Sequence, residues 1–164
     1  MASYENPWIY NGNEFDENLA RDYYGFVYRI VNTTTGRSYI GRKYFYFRKK
    51  RKLKESDWRA YYGSCDELLQ DIEALGVHNF RREILSLHET RGLVNYHENV
   101  QLFSRDVLFS KDLQGNRLYY NSNIMSRYFC NSTATLTDKM RKKMKEAHEV
   151  QPKKPRKKRK KNVT

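Results

Sequence analysis

The stretch of sequence that decides the fold is YGFVYRIVNTTTGRSYIG, residues 24–41. Its first part is rich in β-branched and aromatic residues, which predicts a strand. Polar residues and a glycine follow, and Gly36 is free to take the positive φ of a tight turn. Residues 37–41 predict a second strand. The stretch therefore indicates a β-hairpin, with Tyr28 on its first strand and Tyr39 on its second.

The periodicity of the following residues predicts a small α+β domain. A helix is predicted over residues 66–75, where Gly76 ends it, and a third strand over residues 80–87. A longer helix is predicted from about residue 92 to residue 108. The residues expected on its buried face recur at helical spacing: Leu93, Tyr96, Val100, Phe103 and Val107. This order of elements predicts a small three-stranded antiparallel sheet flanked by helices.

Composition divides the chain into four parts. Residues 1–22 are polar and mixed, and predict an N-terminal arm that packs on the domain. Residues 23–130 predict the globular domain itself. Residues 132–149 predict an appended basic helix with methionines at helical spacing. Residues 150–164 hold a Lys/Arg-rich run without an apolar core, and are therefore predicted to form a disordered tail.

The charge of the chain predicts a polyanionic partner, of which nucleic acid is the commonest. The formal net charge is +13, and removing the eight positive charges of the tail lowers it to +5. No stretch approaches the roughly 18 apolar residues of a membrane span, and the N-terminus lacks the apolar run of a secretory signal. We therefore expect a cytoplasmic protein with no membrane partner, although the basic tail would act as a nuclear signal in a eukaryotic host.

A basic strip follows the second tyrosine directly. Residues 42–54 contain eight positive charges and no acid, with aromatic side chains interleaved. This pattern is typical of a phosphate-binding strip, although a solvated basic loop has the same composition. The residues expected to bind nucleic acid come from this strip, the appended helix and the tail: Arg42, Lys49, Lys50, Arg51, Lys52, Lys142, Lys143 and Arg156.

Together these motifs resemble the GIY-YIG nuclease superfamily, in particular its phage-type members, which include homing endonucleases. The YIG half is literal at residues 39–41, whereas FVY at residues 26–28 stands where Gly-Ile-Tyr is usual. Residues 57–64 and residues 79–85 are similar to further segments that phage-type members carry. The resemblance covers about residues 24–123.

The resemblance implies hydrolysis of DNA phosphodiester bonds with one divalent metal ion, Mg²⁺ or Mn²⁺. Tyr28 is expected to act as the general base or its relay, with Tyr39 positioning the attacking water. Glu98 falls where such nucleases place their metal-binding glutamate. Asn121 resembles the late asparagine of the family. From the residues alone, the tyrosines could equally be strand packing, Glu98 a surface ion pair and Asn121 a turn residue.

The cation that stabilises the transition state has several candidates. Lys43 and Arg48 are our choices, because a positive charge must lower the pKa of the phenol and neutralise the developing negative charge. In many family members an arginine on a helix after the YIG strand fills this role, and Arg48, Lys49 and Arg51 compete for it here. Phage-type members often use basic residues just after the glycine, which favours Arg42 or Lys43.

The leading prediction is thus a small phage-type endonuclease, located in the host cytoplasm if a phage encodes it. The main alternative is a non-catalytic nucleic-acid-binding protein on the same fold, and a further one is a basic structural or RNA-associated protein. A monomer with one site should nick DNA, so cutting both strands needs a dimer mate, a protein partner or two visits. The basic helix resembles the DNA-binding helices appended to phage homing endonucleases and adds salt-dependent affinity.

Overall fold

The computed structural model describes residues 5–130 and 138–148. The chain divides into two compact units, residues 1–130 and residues 131–164. The first unit holds nine strands and two α-helices within its described part. In the second unit the described element is the helix α3, Asp138–His148. The predicted disordered tail with Arg156, and the predicted start of the appended helix, lie outside the described residues.

A mixed sheet of five strands forms the centre of the first unit. Its strands are β1 Trp8–Tyr10, β2 Asn13–Glu14, β3 Gly25–Asn32, β4 Ser38–Tyr44 and β7 Phe80–His88. The order across the sheet is β2-β1-β7-β3-β4, with β1 parallel to β7 and β3 antiparallel to both β7 and β4. The remaining strands pair in two hairpins: β5 Tyr46–Lys49 with β6 Lys52–Glu55, and β8 Asn123–Ile124 with β9 Tyr128–Phe129.

The α+β class is confirmed, but the predicted three-stranded antiparallel sheet is wrong in its count of strands and in its pairing, because β1 is parallel to β7. The two extra strands come from the segment that was predicted to be an arm. β1 and β2 are three and two residues long, which is too short for an alternating pattern to be visible in the sequence. They join the sheet because β1 pairs with the exposed side of β7, where Trp8 then reaches the core.

A β-bulge in β7 sets which residues face each side of the sheet. Val27 pairs with Ser86 while the next residue, Tyr28, pairs with Ile84, so that Leu85 is an extra residue on β7. The bulge changes the alternation of side chains along the strand. As a result Ile84 and Leu87 both pack on one core, and Leu85 packs on the other.

The two faces of the sheet carry separate hydrophobic cores. On one face Phe26, Tyr28 and Trp58 pack with Leu68 of the helix α1, Asp66–Leu75. On the other face the core contains Val27, Ile40, Leu102, Val107, Leu108 and Ile124. Leu102 belongs to the helix α2, Arg91–Ser104, so α1 and α2 cover opposite faces of the sheet.

The buried face of α2 differs from the one that its apolar stripe predicts. Leu93, Tyr96, Val100 and Phe103 are exposed, while the buried residues of the helix are Val94 and Leu102. Val107, the last residue of the stripe, is buried as predicted, but it lies beyond the end of the helix at Ser104. Glu98 lies between these two at a spacing of four residues, and its side chain is only 13% exposed. The helix is therefore rotated so that a carboxylate that pairs with an arginine of β4 faces the sheet. The pattern of apolar residues in the sequence does not reveal this ion pair.

Among residues 5–130 and 138–148, no helix has both the length and the apolar character that crossing a membrane requires.

The orientation of α2 can be tested with two matched leucine truncations. Leu102 is 5% exposed and Leu93 is 45% exposed. Leu102→Ala should lower the free energy of unfolding by about 2–5 kcal/mol, because it removes buried methyl groups and leaves a cavity. Leu93→Ala should change it by less than about 0.5 kcal/mol. Urea denaturation measures both, and a larger loss at Leu93 would show that the helix buries the face predicted from its sequence.

Candidate functional site

The two tyrosines of the hairpin lie on the same face of the sheet. Tyr28 of β3 pairs with Gly41 of β4, and Ile30 pairs with Tyr39, so the tyrosines are diagonal neighbours. Their ring centroids are 6.1 Å apart. A Cβ atom at Gly41 would lie 2.5 Å from the Tyr28 hydroxyl oxygen and 3.1 Å from the Tyr39 ring. The glycine is therefore required because the Tyr28 phenol lies across β4 at this position.

Both phenols hold their protons more tightly than usual. Burial is the main cause that raises the pKa of Tyr28 well above 10, and the neighbouring Tyr39 and Tyr61 and the charge of Glu98 raise it further. Burial also raises the pKa of Tyr39, although a hydrogen bond with Ser64 lowers it in part. At neutral pH both phenols are thus protonated and can donate hydrogen bonds. Acting as a base would require added positive charge nearby.

Glu98 forms an ion pair with Arg42 beside the tyrosines. The Arg42 guanidinium donates to one carboxylate oxygen of Glu98. Burial raises the pKa of Glu98, and the ion pair with Arg42 lowers it only in part. The ion pair with Arg42 therefore offsets only part of the free energy that the carboxylate loses when it is removed from water.

Arg42, the partner of Glu98, directly follows Gly41 on β4. Arg42 points to the face of β4 opposite Gly41, so the ion pair and the tyrosine rings lie on different faces. The charge of Glu98 nevertheless raises the pKa of both Tyr28 and Tyr39, as the smallest of several causes. β4 is the outermost strand, and residues 118–121 cover its edge only up to Ile40. Among the described residues, no backbone-to-backbone pairing continues along this edge beyond Ile40.

Lys43 supplies a cation on the same face as the phenols. Its ammonium lies 3.7 Å from the centre of the Tyr61 ring, which in turn packs edge-on against Tyr28 with ring centroids 6.0 Å apart. The ammonium also donates to Asp57 at 2.5 Å, and this hydrogen bond lowers the pKa of Asp57. The Lys43 side chain is only 16% exposed, so its position is fixed.

The structure does not bring Arg48 to the tyrosines. Arg48 lies on β5, in the hairpin that stands where many family members have a helix. Its side chain makes no hydrogen bond, ion pair or ring contact with another described residue. Lys49 and Lys52 lie on the same hairpin, and Lys50 and Arg51 form its turn. Lys142 and Lys143 are exposed on α3 in the second unit.

Asn121 uses its whole amide group on the backbone of β4. Its Oδ1 atom accepts from the Ile40 amide at 3.0 Å, and its Nδ2 atom donates to the Ile40 carbonyl at 2.8 Å. The side chain is buried and continues the hydrogen-bonding ladder of the sheet. Asn121 therefore fixes the backbone next to Gly41, and its catalytic role stays a prediction.

Two residues of the site were missed in the sequence. Tyr61 contacts both Tyr28 and Lys43, and the Ser64 hydroxyl lies 3.5 Å from that of Tyr39. Both belong to residues 57–64, which carried part of the family resemblance. That segment could have suggested a site, but no local pattern indicates that it folds back over the hairpin.

Neutralising Glu98 and Glu83, which are both partly buried, should change the stability of the fold in opposite directions. The pKa of Glu98 is above its ordinary value near 4.5 in the folded state, so its ionised form costs stability as the pH rises through that pKa. For Glu83, burial raises the pKa, but Arg29 and Arg81 outweigh it and hold the pKa below 4.5. Its ionised form therefore stabilises the fold above about pH 4.5, and this stability is lost as the pH falls.

At about pH 7, Glu98→Gln should raise the melting temperature and Glu83→Gln should lower it; both differences should shrink toward about pH 4. Thermal unfolding at several pH values measures this. A stabilised Glu83→Gln or a destabilised Glu98→Gln would contradict the electrostatic description of the site.

A family model described as "Putative endonuclease segE, GIY-YIG domain" matches residues 8–124. Neither a curated protein nor a solved structure matches the chain. Nucleases with this domain generally use divalent metals, and DNA is the substrate that such a domain implies. The match includes β1, which extends the sheet, and both strands that carry the tyrosines. Because it covers most of the chain, including the whole tyrosine-bearing hairpin, the chain belongs to the GIY-YIG endonuclease family.

Proposed function

We propose that this protein is a phage-type endonuclease that hydrolyses DNA phosphodiester bonds with a divalent metal ion, Mg²⁺ or Mn²⁺. The observation that carries this proposal is the placement of two buried phenols and the Lys43 ammonium on one face of the sheet at Gly41, with the Arg42–Glu98 ion pair on the opposite face at the next residue of β4. A homing role is the finer form of the proposal. It fits the basic helix and tail but needs a defined target site.

The carboxylate of Glu98 fits a magnesium ligand. Mg²⁺ is commonly held by one or two carboxylates with water completing its coordination. The Glu98 side chain is only 13% exposed, and its pKa stays raised although Arg42 pairs with it, so a further cation would be favourable there. Among the described residues there is no group of three or more acidic, histidine or cysteine side chains that could hold an ion. A bound ion would neutralise charge on the leaving oxygen.

The protonated phenols favour a relay over direct deprotonation. A neutral Tyr28 can accept a proton from the attacking water only as it passes its own proton on. Tyr61, which packs edge-on against Tyr28 and is partly exposed, would be the next group in the relay and would pass its own proton to solvent. Tyr39, held by Ser64, would orient the water. Lys43 would stabilise the negative charge that develops on the phosphoryl group.

Binding of the DNA strand is assigned to the cations outside this cluster. Arg48, Lys49, Lys50, Arg51 and Lys52 are exposed on the β5–β6 hairpin, and Lys142 and Lys143 are exposed on α3. Arg156 lies outside the described residues. Phosphate contacts of this kind add affinity that falls steeply with salt. Double-strand cleavage would further require a dimer mate, a protein partner or a second visit.

Cleavage of supercoiled plasmid tests the proposal. The wild type should nick plasmid with Mg²⁺ or Mn²⁺ and not with EDTA. Tyr28→Phe and Glu98→Gln should each lower the rate by roughly a hundredfold or more, because each removes a group from the reaction centre. Tyr96→Phe and Glu73→Gln are matched controls on exposed positions and should cut normally. A wild type that shifts plasmid on a gel but never cuts it would favour the non-catalytic binding protein.

A second comparison identifies the catalytic cation. Lys43→Ala should lower the rate at saturating DNA by roughly a hundredfold, because Lys43 lies beside the phenols. Arg48→Ala should chiefly raise the DNA concentration needed for half-maximal rate, because Arg48 lies on the hairpin and contacts neither tyrosine. Single-turnover kinetics separate the two effects. The opposite pattern would return Arg48 to the role of catalytic cation.

A further inference from the structure

The hairpin of β5 and β6, which we call the basic ribbon (Tyr46–Glu55), has no core of its own. Apart from Tyr46, every residue of its two strands is exposed. Six of its residues are cationic, and between Phe47 and Lys54 there is no acid. A two-stranded ribbon without a packed face is marginally stable in water by itself. The ribbon must therefore be stabilised by the residues at its base or by a binding partner.

The base of the ribbon is fixed firmly to the domain. Phe45, which alone separates β4 from β5, is fully buried and packs against Trp58. The Tyr46 hydroxyl donates to the Ala20 carbonyl at 3.0 Å. Glu55 accepts from the Trp58 indole at 3.0 Å, and Ser56 returns the chain by bonding to the Phe45 carbonyl at 2.8 Å. The ribbon therefore projects from a rigid root.

The turn of the ribbon holds two cations in an unfavourable backbone conformation. Lys50 and Arg51 both have positive φ, 48° and 63°, between the closing pair Lys49 and Lys52. This is the two-residue turn in which Asn-Gly is strongly preferred. Lysine and arginine are less favourable than asparagine and glycine at these two positions. The sequence therefore places cationic side chains at the tip at a conformational cost.

The two faces of the ribbon differ. Alternation places Phe47, Lys49, Lys52 and Lys54 on one face, and Tyr46, Arg48, Leu53 and Glu55 on the other. On the first face both cross-strand pairs carry positive charge, with Phe47 as its one apolar residue. The second carries Tyr46 and Glu55, the residues that anchor the base. One face is thus free to follow a row of phosphates.

We propose that the basic ribbon enters the major groove of duplex DNA, with Lys50 and Arg51 at the base edges and Lys49, Lys52 and Lys54 along the phosphates. This inference rests on the proposed function in that it takes DNA as the substrate. With four residues in each strand, the ribbon is roughly 10 Å long, enough for its tip to reach the floor of the major groove, which is about 8.5 Å deep. The major groove is about 12 Å wide and admits a two-stranded ribbon, whereas the minor groove, at about 6 Å, does not. An arginine at the tip suits guanine, which presents two acceptors there.

The test uses the full-length chain carrying Tyr28→Phe, so that binding is measured without cleavage. Short duplexes with a random centre are selected for binding, and the enriched duplex is then treated with dimethyl sulfate. This reagent methylates guanine N7 in the major groove and adenine N3 in the minor groove. The ribbon variant is Lys50→Asn combined with Arg51→Gly, which retains the turn. Arg127→Ala, at an exposed arginine outside the ribbon, is the matched control.

The expected result is protection of guanine N7 that the ribbon variant loses, together with at least a tenfold loss of preference for the enriched sequence. The Arg127→Ala control should keep both. Protection of adenine N3 alone, protection that survives in the ribbon variant, or selection that enriches no sequence would each overturn the inference. Plasmid cleavage by the wild type is scored separately, so a footprint without cleavage would leave the ribbon in place and remove only the nuclease.

Discussion

The absence of a side chain at Gly41 is the constraint on which the candidate site depends. The Tyr28 phenol occupies the space that a Cβ atom would need, and so reaches across the outer strand to its edge. That arrangement needs the register of β3 on β4 to be fixed to the residue. Asn121 contributes to this by bonding both polar groups of Ile40, and the bulge in β7 fixes the other side of β3. A shift of one residue would turn Tyr28 toward the opposite core.

The electrostatics of the site differ from those of the rest of the surface. Glu83 is also partly buried, but two arginines pair with it and lower its pKa. Glu98 has one arginine and keeps a raised pKa, and the phenols beside it keep theirs raised as well. The packing of the core does not explain why the sequence keeps a partly buried carboxylate whose charge is only partly offset by one arginine. Such groups are typical of functional sites, where a ligand supplies the missing charge.

Much of the fold could be predicted from local patterns in the sequence. The helix α1 was predicted over residues 66–75 and is found at the same residues, because a leucine stripe and Gly76 define it locally. The hairpin of the two tyrosines was likewise visible from propensity and turn chemistry. The buried face of α2 was not, because its orientation follows from the pairing of Glu98 with a residue 56 positions earlier. Tyr61 and Ser64 escaped for the same reason, since their contacts depend on how a loop folds back.

The basic strip was the hardest region to interpret, and its structure joins the two halves of the site. The alternation of apolar and polar residues that indicates a strand is absent when both faces of the strand are polar. Residues 42–54 therefore gave no sign of a hairpin. In the structure β4 carries Gly41, Arg42 and Lys43, and only the buried Phe45 separates it from the ribbon. A duplex held by the ribbon would therefore be held against the strand that bears the reactive groups. Since the root of the ribbon is rigid, binding and positioning of the phosphodiester would be a single event, with little freedom left to lose before reaction.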